Sequence, residues 1–209
     1  MNVKEAYKIW SEQYDTNENR TRDLEAISLR QTLKGQHFDS CLEIGCGTGK
    51  NTEWLVTIAD NVFAIDMSEE MLSIAKKKNN AQNVSFVQAD INKEWHFTES
   101  KKYDLVTFSL VLEHIENLDS IFQKLHEVVS SNGIIYIGEL HPFKQYNGTK
   151  ARFETTNGVE VVTCFTHNIS DFVNSARKYE FQLLDVNEYF DDNDRTVIPR
   201  ILTLIFKKE

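Results

Sequence analysis

The sequence predicts an α/β protein built on one doubly wound, mostly parallel sheet. Three observations point there. Short apolar runs alternate with amphipathic, helix-like stretches, which is the pattern of strands joined by crossover helices. A turn with glycine at every second position, in "CLEIGCGTGKNTEWL" (41–55), separates the first strand candidate from a helix-like stretch. The chain has 209 residues, 41% of them hydrophobic, enough for one domain with a proper core.

The elements follow in order. In "VKEAYKIWSEQY", Val3, Tyr7, Trp10 and Tyr14 share one helical stripe, and a second helix is expected around 20–34. Together they form an N-terminal helical cover over 1–35. The strand candidates are "SCLEI", "NVFAI", "NVSFVQ", "YDLVTFS" and "GIIYIGEL", all within a core of 36–140. Between them, "SEEMLSIAKKKNN" has Ser68 as N-cap, acids in its first turn and lysines in its last, as the helix dipole favours. In "NLDSIFQKLHEVVSSNG", Leu118, Ile121, Phe122, Leu125 and Val129 recur at helical spacing, and Asn132-Gly133 is expected to stop the run. Residues 141–168 read as an inserted hairpin turning at Asn157-Gly158, a strong hairpin signal. One more helix and two closing strands, "FQLLDVNEYF" and "RILTLIFKK", fill 169–209.

Composition excludes several classes. The formal net charge of −9 repels phosphate backbones, so nucleic acid is not the expected partner. No apolar run approaches the roughly 20 residues that span a bilayer, and "MNVKEAYKIW" lacks the apolar core of a signal peptide. Cys41, Cys46 and Cys164 lack metal-ligand spacing. Reduced thiols in a cytoplasm, with no metal, are the expectation.

A strand, a tight turn of Gly45, Gly47 and Gly49, and then a helix form a nucleotide-binding layout. The first glycine permits the turn, and the others let backbone amides approach a ligand. A phosphate-binding P-loop would need glycine where Ile44 stands and a hydroxyl at Asn51, so it is rejected. A dinucleotide fingerprint would put its third glycine at Lys50, which weakens that reading without removing it.

"LEIGCGTG" resembles the E-x-G-x-G-x-G signature of class I S-adenosylmethionine (SAM)-dependent methyltransferases. Asp66 ends the second strand in "VFAIDMS", Asp90 follows the third in "FVQADI", and "YDLVTFSLVLEHI" matches the family's fourth strand and loop. The resemblance covers about 36–140 and is closest to small-molecule enzymes, including those of quinone biosynthesis. It implies a Rossmann-like, seven-stranded sheet that binds SAM. It also implies that Asp66 holds the ribose hydroxyls while Met67 and Ile91 lie beside adenine. Asp90 would stand near the adenine amine, and the Ser109 carbonyl would meet the methionine ammonium. Glu43 would brace the turn and the same ammonium, Cys46 would contribute only backbone, and Tyr14 would touch the methionine moiety.

Methyl transfer from a sulfonium needs alignment first and a general base only if the acceptor must lose a proton. Among six histidines, His37, His96 and His126 read as surface or helix-face residues. His114 in "LEHIEN" stands near the cofactor loop, whereas His141 and His167 bracket the inserted segment as candidates for substrate contact. That segment also carries Phe143, Lys144, Tyr146, Lys150, Arg152 and Phe153, a set suited to a flat or anionic small molecule if the hairpin is a lid. Without an Asn/Asp-Pro-Pro-Tyr/Phe motif, the loop "FSLV" does not resemble amino-methylating enzymes acting on DNA bases. A methyltransferase acting on a small-molecule acceptor, as monomer or homodimer, is therefore expected. The alternatives are a SAM-binding regulatory module without transfer activity, or an NAD-dependent oxidoreductase.

Overall fold

The computed structural model describes Ala6, Ser11, Tyr14, Asp15 and residues 18–155 and 158–209. In chain order the elements begin with α1 (Arg20–Thr32), β1 (Phe38–Ile44), α2 (Thr52–Leu55), β2 (Ala59–Asp66) and α3 (Glu69–Lys78). They continue with β3 (Val84–Gln88), β4 (Tyr103–Ser109), α4 (Leu118–Val128), β5 (Val129–Leu140) and α5 (Pro142–Tyr146). The last are β6 (Arg152–Thr155), β7 (Gly158–Val161), α6 (Ile169–Lys178), β8 (Phe181–Tyr189) and β9 (Ile201–Lys208). Seven strands make one sheet in the order β3-β2-β1-β4-β5-β9-β8. Only β9 runs against its neighbours.

The two faces of the sheet explain why these sequences are strands. Along β1, Leu42 and Ile44 enter one core cluster and Cys41 enters the other; β4 divides Val106 and Phe108 from Leu105 in the same way. In β5, Ile135 and Ile137 oppose Tyr136. This period of two is the strand's own geometry. Helices α4 and α6 close the first face with Ile121, Phe122, Leu125, Phe172 and Ala176. Helices α1 to α3 close the second with Leu29, Leu55 and Leu72. Each fully buried side chain of this size, such as Phe122, stabilises the fold by roughly 1.5–3 kcal/mol.

Helix α3 starts as its sequence predicts, with the Ser68 hydroxyl accepting from Met71 N. Helix α4 does not run on to Asn132. It ends at Val128, and Val129 already opens β5 by pairing with Tyr103. The two β-branched valines gain more from the ladder than from another helical turn, so tertiary pairing overrides the periodic signal. Asn132, at φ 64, then marks an irregularity inside the strand rather than a helix stop.

At the N-terminus Tyr14 and Asp15 form a turn, whereas Val3, Tyr7 and Trp10 lie outside the described residues. The inserted segment opens with a helix that its sequence did not announce, α5, capped by His141. Strands β6 and β7 pair antiparallel with Thr155 opposite Gly158; the connecting residues 156 and 157 lie outside the described residues. Asn168, in a capping box with Asp171, starts α6. Among the described residues no helix is long and apolar enough to cross a membrane.

Candidate functional site

The order of the strands reverses at β1, which has β2 on one side and β4 on the other. Crossovers leave β1 and β4 in opposite directions, so a crevice opens beyond their carboxyl ends. A cleft of about 730 Å³ lies there, and a smaller recess opens beside it, toward α1.

The glycine turn forms the cleft's inner wall. Gly45 N and Cys46 N both donate to Ile65 O, at 2.8 and 2.9 Å, which ties the turn to the end of β2. Gly47 N donates to Asp66 Oδ2 at 2.8 Å, while Asp66 Oδ1 accepts from Ser68 N at 2.8 Å. A Cβ on Gly47, at φ 54, would meet nothing within 4 Å, so open space lies beside this residue. Gly49 has a different task. At φ 80, its Cβ would fall 2.4 Å from Asn79 Nδ2 and 3.1 Å from Ala75 Cβ, so glycine here lets the start of α2 approach the end of α3. Gly49 lines neither the cleft nor the recess.

The remaining sequence-derived positions converge. Tyr14, Gly45, Gly47, Asp66, Met67, Asp90, Ile91, Ser109 and His114 all line the cleft. Glu43 and Cys46 line the recess. Asp90 Oδ1 accepts from Asn92 N at 3.0 Å, an ordinary turn bond, and the residue lines the cleft. Tyr14 lies under the Arg22 guanidinium, 4.6 Å from ring centroid to Cζ. Asp15 accepts from the Thr48 hydroxyl at 2.7 Å and pairs with Lys78, which fastens this turn across the glycine loop.

Buried carboxyls set the electrostatics. Burial pushes Glu43 up to about 8 and Glu25 to about 6, and also raises Asp66. Glu43 Oε2 accepts from the Thr52 hydroxyl at 2.5 Å, bracing the first turn of α2. Glu139 plays a similar part under the loop after β4. Its carboxyl, raised to about 8 by burial, accepts from Val111 N at 2.9 Å, Leu112 N at 2.7 Å and Glu113 N at 3.3 Å.

That loop carries His114, whose Nδ1 stands 2.9 Å from Thr163 O and so donates to it. Phe165 N donates to Glu113 O at 2.7 Å, and His167 Nε2 to Ile115 O at 2.7 Å. Three bonds therefore stitch the return leg of the inserted segment to residues 113–115. His141 and His167 do not line the cleft. His141 has no exposure; its Nε2 lies 3.0 Å from Glu188 Oε1 and its Nδ1 accepts from Phe143 N at 3.2 Å. His37 pairs with Asp60, His126 with Glu180, and His96 is exposed.

Several lining residues carried no advance signal. Arg22 and Glu25 sit on α1 and would ordinarily be given to solvent, yet both are buried and line the recess. Leu110, at φ 59, turns the chain between cleft and recess. Glu139 could have been found, because a lone carboxylate inside the apolar run "GIIYIGEL" needs donors if buried.

The comparisons agree with this geometry. Residues 42–137 match the family described as "Methyltransferase domain". A ubiquinone biosynthesis O-methyltransferase of Glaesserella parasuis is 29% identical over 154 residues, 69% of this chain and 63% of that protein. A malonyl-[acyl-carrier protein] O-methyltransferase of Bacillus cereus is 30% identical over 116 residues, 53% and 42% of the two lengths. The chain thus spans less than two thirds of either relative. Among solved structures, an S-adenosylmethionine-dependent methyltransferase described as putative, from Listeria monocytogenes, superposes with a TM-score of 0.76 at 23% identity, covering 90% of this chain and 99% of that one. The structure titled "DhpI-SAH complex structure" gives 0.75 at 21% identity, covering 97% and 93%.

Proposed function

We propose that this chain is a class I SAM-dependent methyltransferase that transfers the methyl group of that cofactor to a small molecule, a reading that its domain match and its fold support. The observation that carries the reading is convergence. Gly47, Asp66, Asp90 and Ser109 follow or end four successive strands, and all four line one cleft.

The residues present suit the cofactor. Asp66, held by two backbone amides, keeps lone pairs for both ribose hydroxyls. Met67 and Ile91 supply apolar walls for adenine, and Asp90 an acceptor for its amine. The methionine end fits beside Gly45 and Ser109, with Arg22 for its carboxylate and Tyr14 as cover. Residues 1–35 serve as cover, 36–140 as cofactor core and 141–168 as acceptor lid, in a single domain over 1–209.

When bound, the cofactor supplies an activated methyl for in-line displacement, and the protein supplies alignment. Correct placement of two reactants is worth roughly 7–11 kcal/mol, and a general base adds about 10²–10⁴ in rate. Of the three histidines singled out in the sequence, only His114 lines the cleft, which supports it as the group that receives a proton shed by an acceptor. His141 and His167 act through the lid segment, which they anchor at both ends. Exposed Phe143, Tyr146 and Arg152 suit an aromatic or anionic acceptor.

Incubation with methyl-labelled cofactor and a metabolite extract tests the reading. Transfer of label to a low-molecular-weight product supports it. Cofactor binding with every metabolite unlabelled would make the chain a SAM-binding regulator instead.

A further inference from the structure

The recess beside the cleft holds two acids, Glu25 and Glu43, and two basic groups, Arg22 and Lys50, that the reading above does not fully use. It shares Tyr14, Gly45, Ser109 and Leu110 with the main cleft, so it is an inner extension of the same site. Its far wall is α1. There Arg22 and Glu25 stand three residues apart, on one face of the helix, and both turn inward. An acid and a base at that spacing complement the ammonium and carboxylate of an amino-acid head group.

Glu25 is held to 1% exposure. Its Oε1 accepts from the Tyr136 hydroxyl at 3.1 Å and its Oε2 from Asn51 Nδ2 at 3.0 Å, with the Ser109 hydroxyl as a further donor. Asn51 is oriented by that bond. Asn51 lines the recess, and its own Oδ1 is buried with no hydrogen-bond partner among the described residues. A buried acceptor left without a donor is unfavourable, and a ligand N–H would satisfy it.

We infer that Glu25 and Asn51 Oδ1 are the acceptors for the α-ammonium of the cofactor's methionine moiety, and that Glu25 is thereby a positioning residue for the methyl donor. The inference rests on the proposal that the cleft binds SAM. Hydrogen bonding separates the two carboxyls of the recess: burial raises both, but Glu43 Oε2 is engaged by the Thr52 hydroxyl, whereas Glu25 shares α1 with Arg22 and holds Asn51 in place. The charged and titratable neighbours of Glu25 are Arg22 and Arg30 on α1, Lys50 on the turn, Glu43 on β1 and Tyr136 on β5.

Three ligands separate the head-group contacts by calorimetry: S-adenosylhomocysteine, its decarboxylated amine, and methylthioadenosine, which lacks the amino-acid head. Glu25→Gln keeps the shape and the Tyr136 bond. It is expected to weaken the two amine-bearing ligands by about tenfold or more and methylthioadenosine by less than about twofold. Asn51→Ala should weaken the same two ligands selectively, by a smaller factor. Equal loss for all three ligands would make Glu25 structural, and no loss for any would remove the contact; either overturns the inference. If the unaltered protein bound none of the three, the failure would belong to the cofactor assignment itself.

Discussion

Replacing Asp66 with alanine tests the division of labour in the cleft. In the present geometry the carboxylate accepts from Gly47 N and Ser68 N at 2.8 Å each, so it is fixed before any ligand arrives. Two ribose hydroxyls would each make a hydrogen bond to a charged acceptor, worth about 1.5–3 kcal/mol. Their joint loss of about 3–6 kcal/mol corresponds to roughly 10²–10⁴ in Kd. Asp90 is half-buried and offers one contact to the adenine amine, so Asp90→Ala is expected to lose only about tenfold. Titration calorimetry with S-adenosylhomocysteine on both variants gives the comparison, with circular dichroism to verify folding. Equal losses, or an Asp66→Ala protein within about threefold of the unaltered one, would refute the bidentate ribose contact.

Other perturbations probe the surroundings. Gly49→Ala puts a Cβ 2.4 Å from Asn79 Nδ2 at φ 80, so the unfolding free energy should fall by about 1–3 kcal/mol; denaturant titration showing no loss would contradict the packing role. Glu43 holds its proton up to about 8 in the fold and releases it near its ordinary value when unfolded. The folded state therefore binds more protons, and its stability falls as pH rises from about 5 to about 8, by up to roughly 1.4 kcal/mol per pH unit. Glu43→Gln should flatten that slope in denaturant midpoints, and an unchanged slope would assign it to Glu139 or Glu25. Arg152→Ala should raise the acceptor KM several-fold while leaving the cofactor Kd unchanged; an unchanged KM would make the arginine a solubilising residue.

Much of the cleft's lining was legible because it depends on backbone and topology. Alternating apolar runs mark the strands, the order of those strands determines where the crevice opens, and the residues after β1 to β4 line it. Asp66 and Asp90 could be placed by that logic. Gly49 belongs to the same motif but serves helix packing, which spacing alone does not distinguish. Arg22, Glu25 and Asn51 were not legible, since charged and polar residues flanking a helix are solvated by default and only tertiary packing turns them inward. Val129 followed a helical period until the ladder with Tyr103 claimed it. His141 reads in sequence as a strand-end substrate contact, yet its two ring nitrogens are occupied by Glu188 and Phe143 N, and it caps α5.

Thermal unfolding in the presence of S-adenosylhomocysteine or NAD tests the assignment of the cleft most directly. At a ligand concentration 100 times Kd, binding adds about 2.7 kcal/mol, and a domain of this size gains about 2–4 °C per kcal/mol. The expected result is a rise in Tm of roughly 5–10 °C with S-adenosylhomocysteine and none with NAD. A rise with NAD and none with S-adenosylhomocysteine would contradict it and turn the glycine loop into a pyrophosphate site.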